Sequence, residues 1–278
     1  KGEIVNCDSV QLYKYMDIGS AKPSQKDMKA IPHHLYGFVD PADDITVAQY
    51  QELAFEKIDE ILVRGNTPIV VGGTGLYLNS LIYNMSFAAK PINLKRREEL
   101  EHLAEIRGKE YLFELLSAVD PDAAARIHPN NIRKIIRAIE AYELGSKLES
   151  MDKLEPNNKY DFKINIVNME REWLYTRINR RVDKLMEDGL LKEVKHLLSI
   201  GYNSETPAMK GIGYKELLSY LDGKATLEEA VNNIKTNTRH YAKRQLTWFK
   251  RYENAHWVEI QKGQMVGNVV DEILEASK

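Results

Sequence analysis

The feature that most narrows the possible folds is a short apolar run, Pro68-Ile69-Val70-Val71, which ends in Gly72-Gly73-Thr74-Gly75 and passes at once into helical spacing over residues 76–81. An apolar run closed by glycines reads as a buried strand, and a helix that follows directly must fold back across the sheet. Upstream, residues 4–6 form a second apolar run, and residues 35–39 are a third strand candidate, stopped by Asp40-Pro41. Between the strands, Thr46 and Gln49 have capping-box spacing, and Val47, Tyr50, Ala54, Ile58 and Ile61 recur at helical intervals up to Gly65, so a helix is expected over 46–64. Strand, helix, strand, glycine turn, helix is the order of a parallel α/β sheet, whose sites gather at the C-terminal ends of its strands. Asp8 and Thr74 both follow such ends. They are expected to share one crevice.

Beyond Pro91 the pattern becomes helical, over 94–108, 110–119, a start at Asp120-Pro121, and 131–144 closed by Gly145. Sheet-like text resumes at 162–167, and residues 170–200 and 227–251 are helical, with a loop over 209–215 and a last strand at 256–260. The domain reading is an α/β core over 1–92 and 159–278, interrupted by a helical insertion over 93–158. With 278 residues, 43% hydrophobic and 29% charged, the chain can bury a substantial core. One cysteine excludes an internal disulfide and points to a reducing, cytoplasmic setting. No apolar run approaches the roughly 18 residues of a membrane span. The opening Lys1-Gly2-Glu3 reads as the close of a helix, because glycine takes the left-handed C′ conformation cheaply, and implies further chain before Lys1.

Several residues carry candidate chemistry. Asp8 is either an N-cap for the segment after it or a general base at the crevice mouth. The Gly72–Gly75 turn is either an anion cradle or a tight turn with Thr74 as cap; it is not a Walker A loop, and no stretch of the chain is. Lys210 and Lys215 flank Gly211-Ile212-Gly213-Tyr214 as solvated lysines or diphosphate ligands. The net charge is −2, yet residues 230–252 hold Lys235, Arg239, Lys243, Arg244, Lys250 and Arg251 with no acid between them. Lys235, Arg239 and Lys243 step by four along one helix face, with Tyr241, Leu246 and Phe249 on the opposite, buried one. Such a face suits a polyanion. Arg133, Lys134 and Arg137 make a smaller basic patch opposite Ile132, Ile135, Ile136 and Ile139. The seven histidines show no metal-ligand spacing and Cys7 has no partner, so no metal ligands are assigned.

Taken together, Asp8-Ser9-Val10-Gln11-Leu12-Tyr13, Met16-Asp17-Ile18-Gly19-Ser20-Ala21-Lys22-Pro23, Ile31-Pro32-His33-His34-Leu35, Val71-Gly72-Gly73-Thr74-Gly75-Leu76-Tyr77, Arg126-Ile127-His128-Pro129-Asn130-Asn131, Gly213-Tyr214-Lys215-Glu216 and Tyr241-Ala242-Lys243-Arg244-Gln245-Leu246-Thr247-Trp248-Phe249 resemble the bacterial tRNA dimethylallyltransferase, or tRNA isopentenyltransferase, family. The resemblance runs along essentially the whole chain. It implies a P-loop-NTPase-like parallel sheet with a helical insertion, and transfer of a dimethylallyl group from its diphosphate to N6 of the adenosine at tRNA position 37. Asp8 matches the family's catalytic aspartate and Thr74 its channel threonine, while Ser9, Val10 and Gln11 match the segment that meets the target base. By the same likeness Lys215 and Lys210 meet the diphosphate, and Arg239, Lys243 and Arg244, with Arg133, Lys134 and Arg137 on the insertion, contact the tRNA anticodon stem-loop. It further implies Mg2+; a monomer without membrane association is expected.

Family members begin with a strand, a phosphate loop and a helix, about 30 residues, and that unit is not in these 278 residues, so the expectation is a shortened chain of impaired activity. Two rivals are an adenylate isopentenyltransferase acting on free nucleotide and a tRNA-binding protein without catalysis.

Overall fold

The computed structural model describes residues 1–85, 87, 93–145 and 154–278; the domain boundary expected between 92 and 93 adjoins residues outside that set. In chain order the elements are β1 (Gly2–Asn6), α1 (Gln25–Ala30), β2 (His33–His34), α2 (Val47–Val63), β3 (Thr67–Val71), α3 (Gly75–Ile82), α4 (Leu94–Val119), α5 (Pro121–Ala124), α6 (Ile132–Glu143), β4 (Asn165–Met169), α7 (Arg171–Asp188), α8 (Leu190–Ser199), α9 (Tyr214–Leu221), α10 (Leu227–Phe249), β5 (His256–Ile260) and α11 (Val266–Ala276). A single 3-10 turn, Pro207–Lys210, lies between α8 and α9. Two compact units result, one of residues 1–82 with 157–278 and the other of residues 83–156.

The first unit holds the sheets. β1 runs parallel to both neighbours in the order β2-β1-β3, with Ile4 opposite Ile69 and Val5 opposite Val70. β4 and β5 form a second parallel pair, with Ile166 opposite Trp257. The parallel α/β grammar read from the chain is therefore present. α2 begins at Thr46, whose hydroxyl accepts the Gln49 N–H while the Gln49 side chain reaches back, and it buries Tyr50, Ala54, Ile58 and Ile61 as their spacing predicts. Tyr50 stacks on Tyr77 of α3, with ring centroids 3.9 Å apart, and donates its hydroxyl to the Asn6 carbonyl at 2.9 Å. Two helices are thereby pinned to the end of β1.

Four readings need correction. Residues 35–39 do not form a strand: pairing is confined to His33 and His34, because Leu35 adopts φ +63 and turns the chain out of the sheet, and Val39 makes only an isolated bridge to Tyr13. The sheet resumes at Asn165 rather than residue 162. The helical text over 170–200 is two helices, since Gly189 at φ 105 ends α7 and begins α8. Gly2 is the first residue of β1 instead of a left-handed helix cap; a Cβ there would lie 2.6 Å from Ile69 Cδ1, so the glycine admits the facing side chain. The helices α1, α9 and α11 were not anticipated.

The second unit packs α4 on α6 around Leu100, Leu112, Leu116, Ile135, Ile136 and Ile139. Gly108, at φ 82, breaks α4 where the spacing placed a boundary. Asn131 caps α6, and Arg133, Lys134 and Arg137 project from its exposed face. No helix among the described residues is long and apolar enough to cross a membrane.

Glu3 ties β1 to the segment that enters β3. Its covered carboxylate accepts Arg64 Nη2 at 2.8 Å, Arg64 Nε at 3.2 Å and Asn66 Nδ2 at 2.7 Å, and His34 Nε2 lies 2.7 Å away. Those donors, Arg64 first, lower its pKa from the ordinary 4.5 to about 2. A carboxyl with a lower pKa folded than unfolded adds stability that is complete above the unfolded value and vanishes as pH falls through the folded one. Melting temperature should therefore fall more steeply between pH 4.5 and about 2 in the unsubstituted protein than in Glu3→Gln. Parallel curves would mean that this cluster does not set the acid limit.

Candidate active site at the ends of β1 and β3

Both strands end at the same level, and their hydrogen bonding continues beyond them. Cys7 N–H donates to the Val71 carbonyl at 2.8 Å, and Thr74 N–H donates to the Cys7 carbonyl at 3.1 Å. This close crossing explains the glycines. A Cβ on Gly72 would lie 2.1 Å from the Cys7 carbonyl oxygen, one on Gly75 2.4 Å from the Trp248 ring, and one on Gly73 1.9 Å from Gln245 Nε2. The turn is thus tight by necessity of packing, and the Thr74 N–H is engaged rather than offered to an anion.

Thr74 does not use its hydroxyl as a helix cap. The oxygen accepts Ser9 N–H at 3.0 Å and the hydroxyl donates to Ser9 Oγ at 3.3 Å, which sets Thr74 against the residue that follows Asp8. The strand ends therefore bring Thr74 against the neighbour of Asp8. Asp8 itself divides its carboxylate. Oδ1 accepts Val10 N–H at 2.8 Å and Gln11 N–H at 3.2 Å, which is the cap reading. Oδ2 accepts no hydrogen bond among the described residues and is not sealed from solvent. The carboxylate is both a cap and an open acceptor.

Buried Asn6 holds the backbone of Asp8 in place, accepting its N–H at 3.0 Å and donating to the carbonyls of Asp8 at 3.2 Å and Leu35 at 2.9 Å. Tyr36 and Tyr241 both feel the charge of Asp8. Burial, then the charge of Asp8, pushes Tyr36 up to about 12, and the same two causes raise Tyr241. Both remain protonated donors at neutral pH. Tyr241 donates to the Gly73 carbonyl at 3.4 Å, Gln245 Nε2 to the same oxygen at 3.0 Å, and the Arg244 guanidinium stands 5.7 Å from the Tyr241 ring centroid. Gln11 turns its side-chain amide toward the next loop, donating to the Ser20 carbonyl at 2.9 Å and to that of Ala21 at 3.3 Å.

The remaining assigned residues divide. The loop after the 3-10 turn borders the site, since a Cβ on Gly211 would lie 4.0 Å from Val10 Cγ1. Lys210, which ends the 3-10 turn, and Lys215, in the first turn of α9, flank that loop and line a groove of about 310 Å³ that also includes Leu218, Ser219, Asp222 and Lys224 but neither Asp8 nor Thr74. Each lies near a carboxylate, Lys210 near Glu205 (3.9 Å) and Lys215 near Glu216 (3.8 Å). The stripe on α10 is split: Lys235 pairs with Asp183 at 2.6 Å and Arg239 donates to Asn179 at 2.7 Å, both on α7, while Lys243 and Arg244 are exposed. The face opposite is buried only through Ala230 and Ile234, with Tyr241, Leu246 and Phe249 half-buried. Among the described residues no three His, Cys, Asp or Glu side chains are grouped to hold a metal ion.

Sequence reasoning gave no role to Tyr36 or Gln245 and treated Tyr241 only as packing. Gln245 and Tyr241 were visible in the Tyr241–Phe249 stretch, but nothing in the spacing shows that this helix lies over the Gly72–Gly75 turn.

Comparison with known proteins bears on the chain as a whole. The family described as IPP transferase matches residues 11–252. A tRNA dimethylallyltransferase of Alkaliphilus oremlandii is 48% identical over 279 residues, covering 100% of this chain and 89% of that protein. The crystal structure of a full-length tRNA isopentenylpyrophosphate transferase from Bacillus halodurans superposes with a TM-score of 0.71 at 40% identity, covering 99% of this chain and 87% of the other. A eukaryotic dimethylallyltransferase acting on tRNA gives a TM-score of 0.77 at 29% identity over 93% of this chain and 67% of its own.

Glycine replacement separates rigid from yielding contacts. Gly72→Ala must displace backbone and should lower stability by about 3 kcal/mol, whereas Gly73→Ala meets only the end of the Gln245 side chain and should cost about 1 kcal/mol. Denaturant midpoints measure both. Equal losses would contradict the crossing described here.

Proposed function

The chain belongs to the IPP transferase family, and from that premise we propose that it transfers a dimethylallyl group from dimethylallyl diphosphate to N6 of the adenosine at position 37 of tRNA. It is a tRNA-modifying transferase. The observation that carries the residue-level reading is the divided carboxylate of Asp8 beside the Thr74 hydroxyl.

The amine of adenine is a weak nucleophile, because its lone pair is delocalised into the ring. In transfer its nitrogen forms a bond to the terminal allylic carbon, the bond from that carbon to diphosphate oxygen breaks, and diphosphate leaves with the electron pair. The nitrogen must lose a proton, and the open Oδ2 of Asp8 takes it. A positioned base of this kind contributes roughly 10²–10⁴-fold. Two N–H groups on Oδ1 fix the direction in which Oδ2 faces, which supports its use on a base that has left the anticodon stack. Ser9, Val10 and Gln11 line the approach of that base. Thr74 stands where donor and acceptor meet.

Lys215 and Lys210, which flank the loop bordering Val10, offset the charge of the departing diphosphate. Mg2+ accompanies the diphosphate in the family reading, yet Asp8 Oδ1 is already engaged and, among the described residues, no three His, Cys, Asp or Glu side chains are grouped to hold the ion. No step is assigned to the ion. Lys243 and Arg244, with Arg133, Lys134 and Arg137 on the second unit, are exposed cations suited to RNA phosphates. The proposal extends to a monomer in the cytoplasm, where the single buried thiol needs no disulfide partner.

Labelled dimethylallyl diphosphate offered with tRNA and AMP together tests the substrate: label should enter tRNA, and label confined to AMP would overturn the assignment. Asp8→Asn should lower transfer by about 10²-fold while RNA affinity stays close to normal; an unchanged rate would leave Asp8 as a cap alone. Lys243→Ala should weaken RNA binding and reduce its salt slope by about one unit. Arg239→Ala, which unties α10 from α7, should lower melting temperature and leave that slope unchanged.

A further inference from the structure

The Met16–Lys22 loop is held by a residue far from it in sequence. Glu193, on α8, points its carboxylate at three consecutive backbone N–H groups: Oε2 accepts those of Asp17 (2.8 Å) and Ile18 (2.7 Å), and Oε1 accepts that of Gly19 (3.0 Å). A fourth donor, the Tyr214 hydroxyl of α9, reaches Oε1 at 2.8 Å. Burial, then the charge of Glu193, drives the Tyr214 pKa upward, so this hydroxyl keeps its proton. The Tyr214 ring also occupies the space beside Gly19, where a Cβ would lie 2.5 Å from Cζ.

The loop needs such support. Tyr15 (φ 64) and Ala21 (φ 49) bracket it in the left-handed region, a conformation that side chains disfavour and that persists only where surroundings impose it. Lys22 adds a bond to Asp17 Oδ1 at 2.7 Å. The constrained loop then presents the Ser20 and Ala21 carbonyls, and these fix the Gln11 amide. One continuous path therefore runs from Glu193 through the loop to a side chain three residues from Asp8.

We infer that Glu193 is a positioning residue for transfer: its carboxylate holds the Met16–Lys22 loop so that Gln11 is fixed for the incoming nucleobase. The inference rests on the proposed function for the role of Gln11, whereas the loop contacts stand on geometry alone. In Glu193→Gln the carboxamide nitrogen would face backbone N–H groups, donor against donor, and the three contacts cannot all be kept.

The experiment combines steady-state transfer with amide exchange on Glu193→Gln, Gln11→Ala and the double variant. Glu193→Gln should raise the KM for tRNA about tenfold, the scale of one charge-assisted hydrogen bond lost, with kcat and the KM for dimethylallyl diphosphate within about twofold of the unsubstituted values. Gln11→Ala should do the same, and the double variant should be no worse than Gln11→Ala, because coupled residues do not add. Exchange at the amides of Asp17, Ile18 and Gly19 should quicken in Glu193→Gln and stay near normal in Gln11→Ala. Tyr214→Phe, which keeps the ring against Gly19 and removes one donor, should shift the tRNA KM in the same direction by less. Additive losses, an unchanged tRNA KM in either single variant, or unchanged exchange in Glu193→Gln would overturn the inference. Absence of transfer to any tRNA by the unsubstituted protein would count instead against the functional reading, and the exchange rates would then decide whether Glu193 holds the loop.

Discussion

The structure of the site depends on two strands leaving their sheet at the same height and crossing in backbone contact. The β1 to β3 ladder continues through Cys7, whose N–H meets Val71 and whose carbonyl meets Thr74. Side chains have no room at that crossing, so the turn after β3 is made of glycines, and α10 closes over it with Gln245 and Trp248. Parallel pairing is what makes this useful. Strands running the same way deliver both loops to one edge, where the Thr74 hydroxyl meets Ser9, the residue after Asp8.

The cap and base readings of Asp8 cease to be rivals once its two oxygens are considered separately. A carboxylate has about four acceptor positions, and the local turn uses only those of Oδ1. Engagement of one oxygen orients the other, with Asn6 holding the backbone behind it. A side chain already ordered by local bonds loses little entropy when it meets a substrate, which is the advantage of building a reactive group on a turn anchored by a sheet.

The basic helix teaches the opposite lesson. Spacing by four does put Lys235, Arg239 and Lys243 on one face, but a face is not uniform along its length. Asp183 and Asn179 of α7 engage the first two cations, while Lys243 and Arg244 are exposed. Periodicity reports direction around a helix axis. It carries no information about which side chains of a neighbour stand opposite.

Local chemistry was enough to determine the parallel α/β grammar, the capped helix from Val47, the break at Gly108, and the meeting of the turn after β1 with Thr74, because caps, glycine breaks and strand ends depend on residues near one another in the chain. The end of the second strand at Leu35 and the burial of Glu3 among Arg64, Asn66 and His34 were not legible, since each is imposed by partners in other elements. The same holds for Glu193, which reads as an ordinary charged residue on a helix yet accepts three backbone N–H groups from a loop about 175 residues away. Only tertiary folding decides such contacts, because backbone donors look alike in any sequence and are distinguished solely by where the chain brings them.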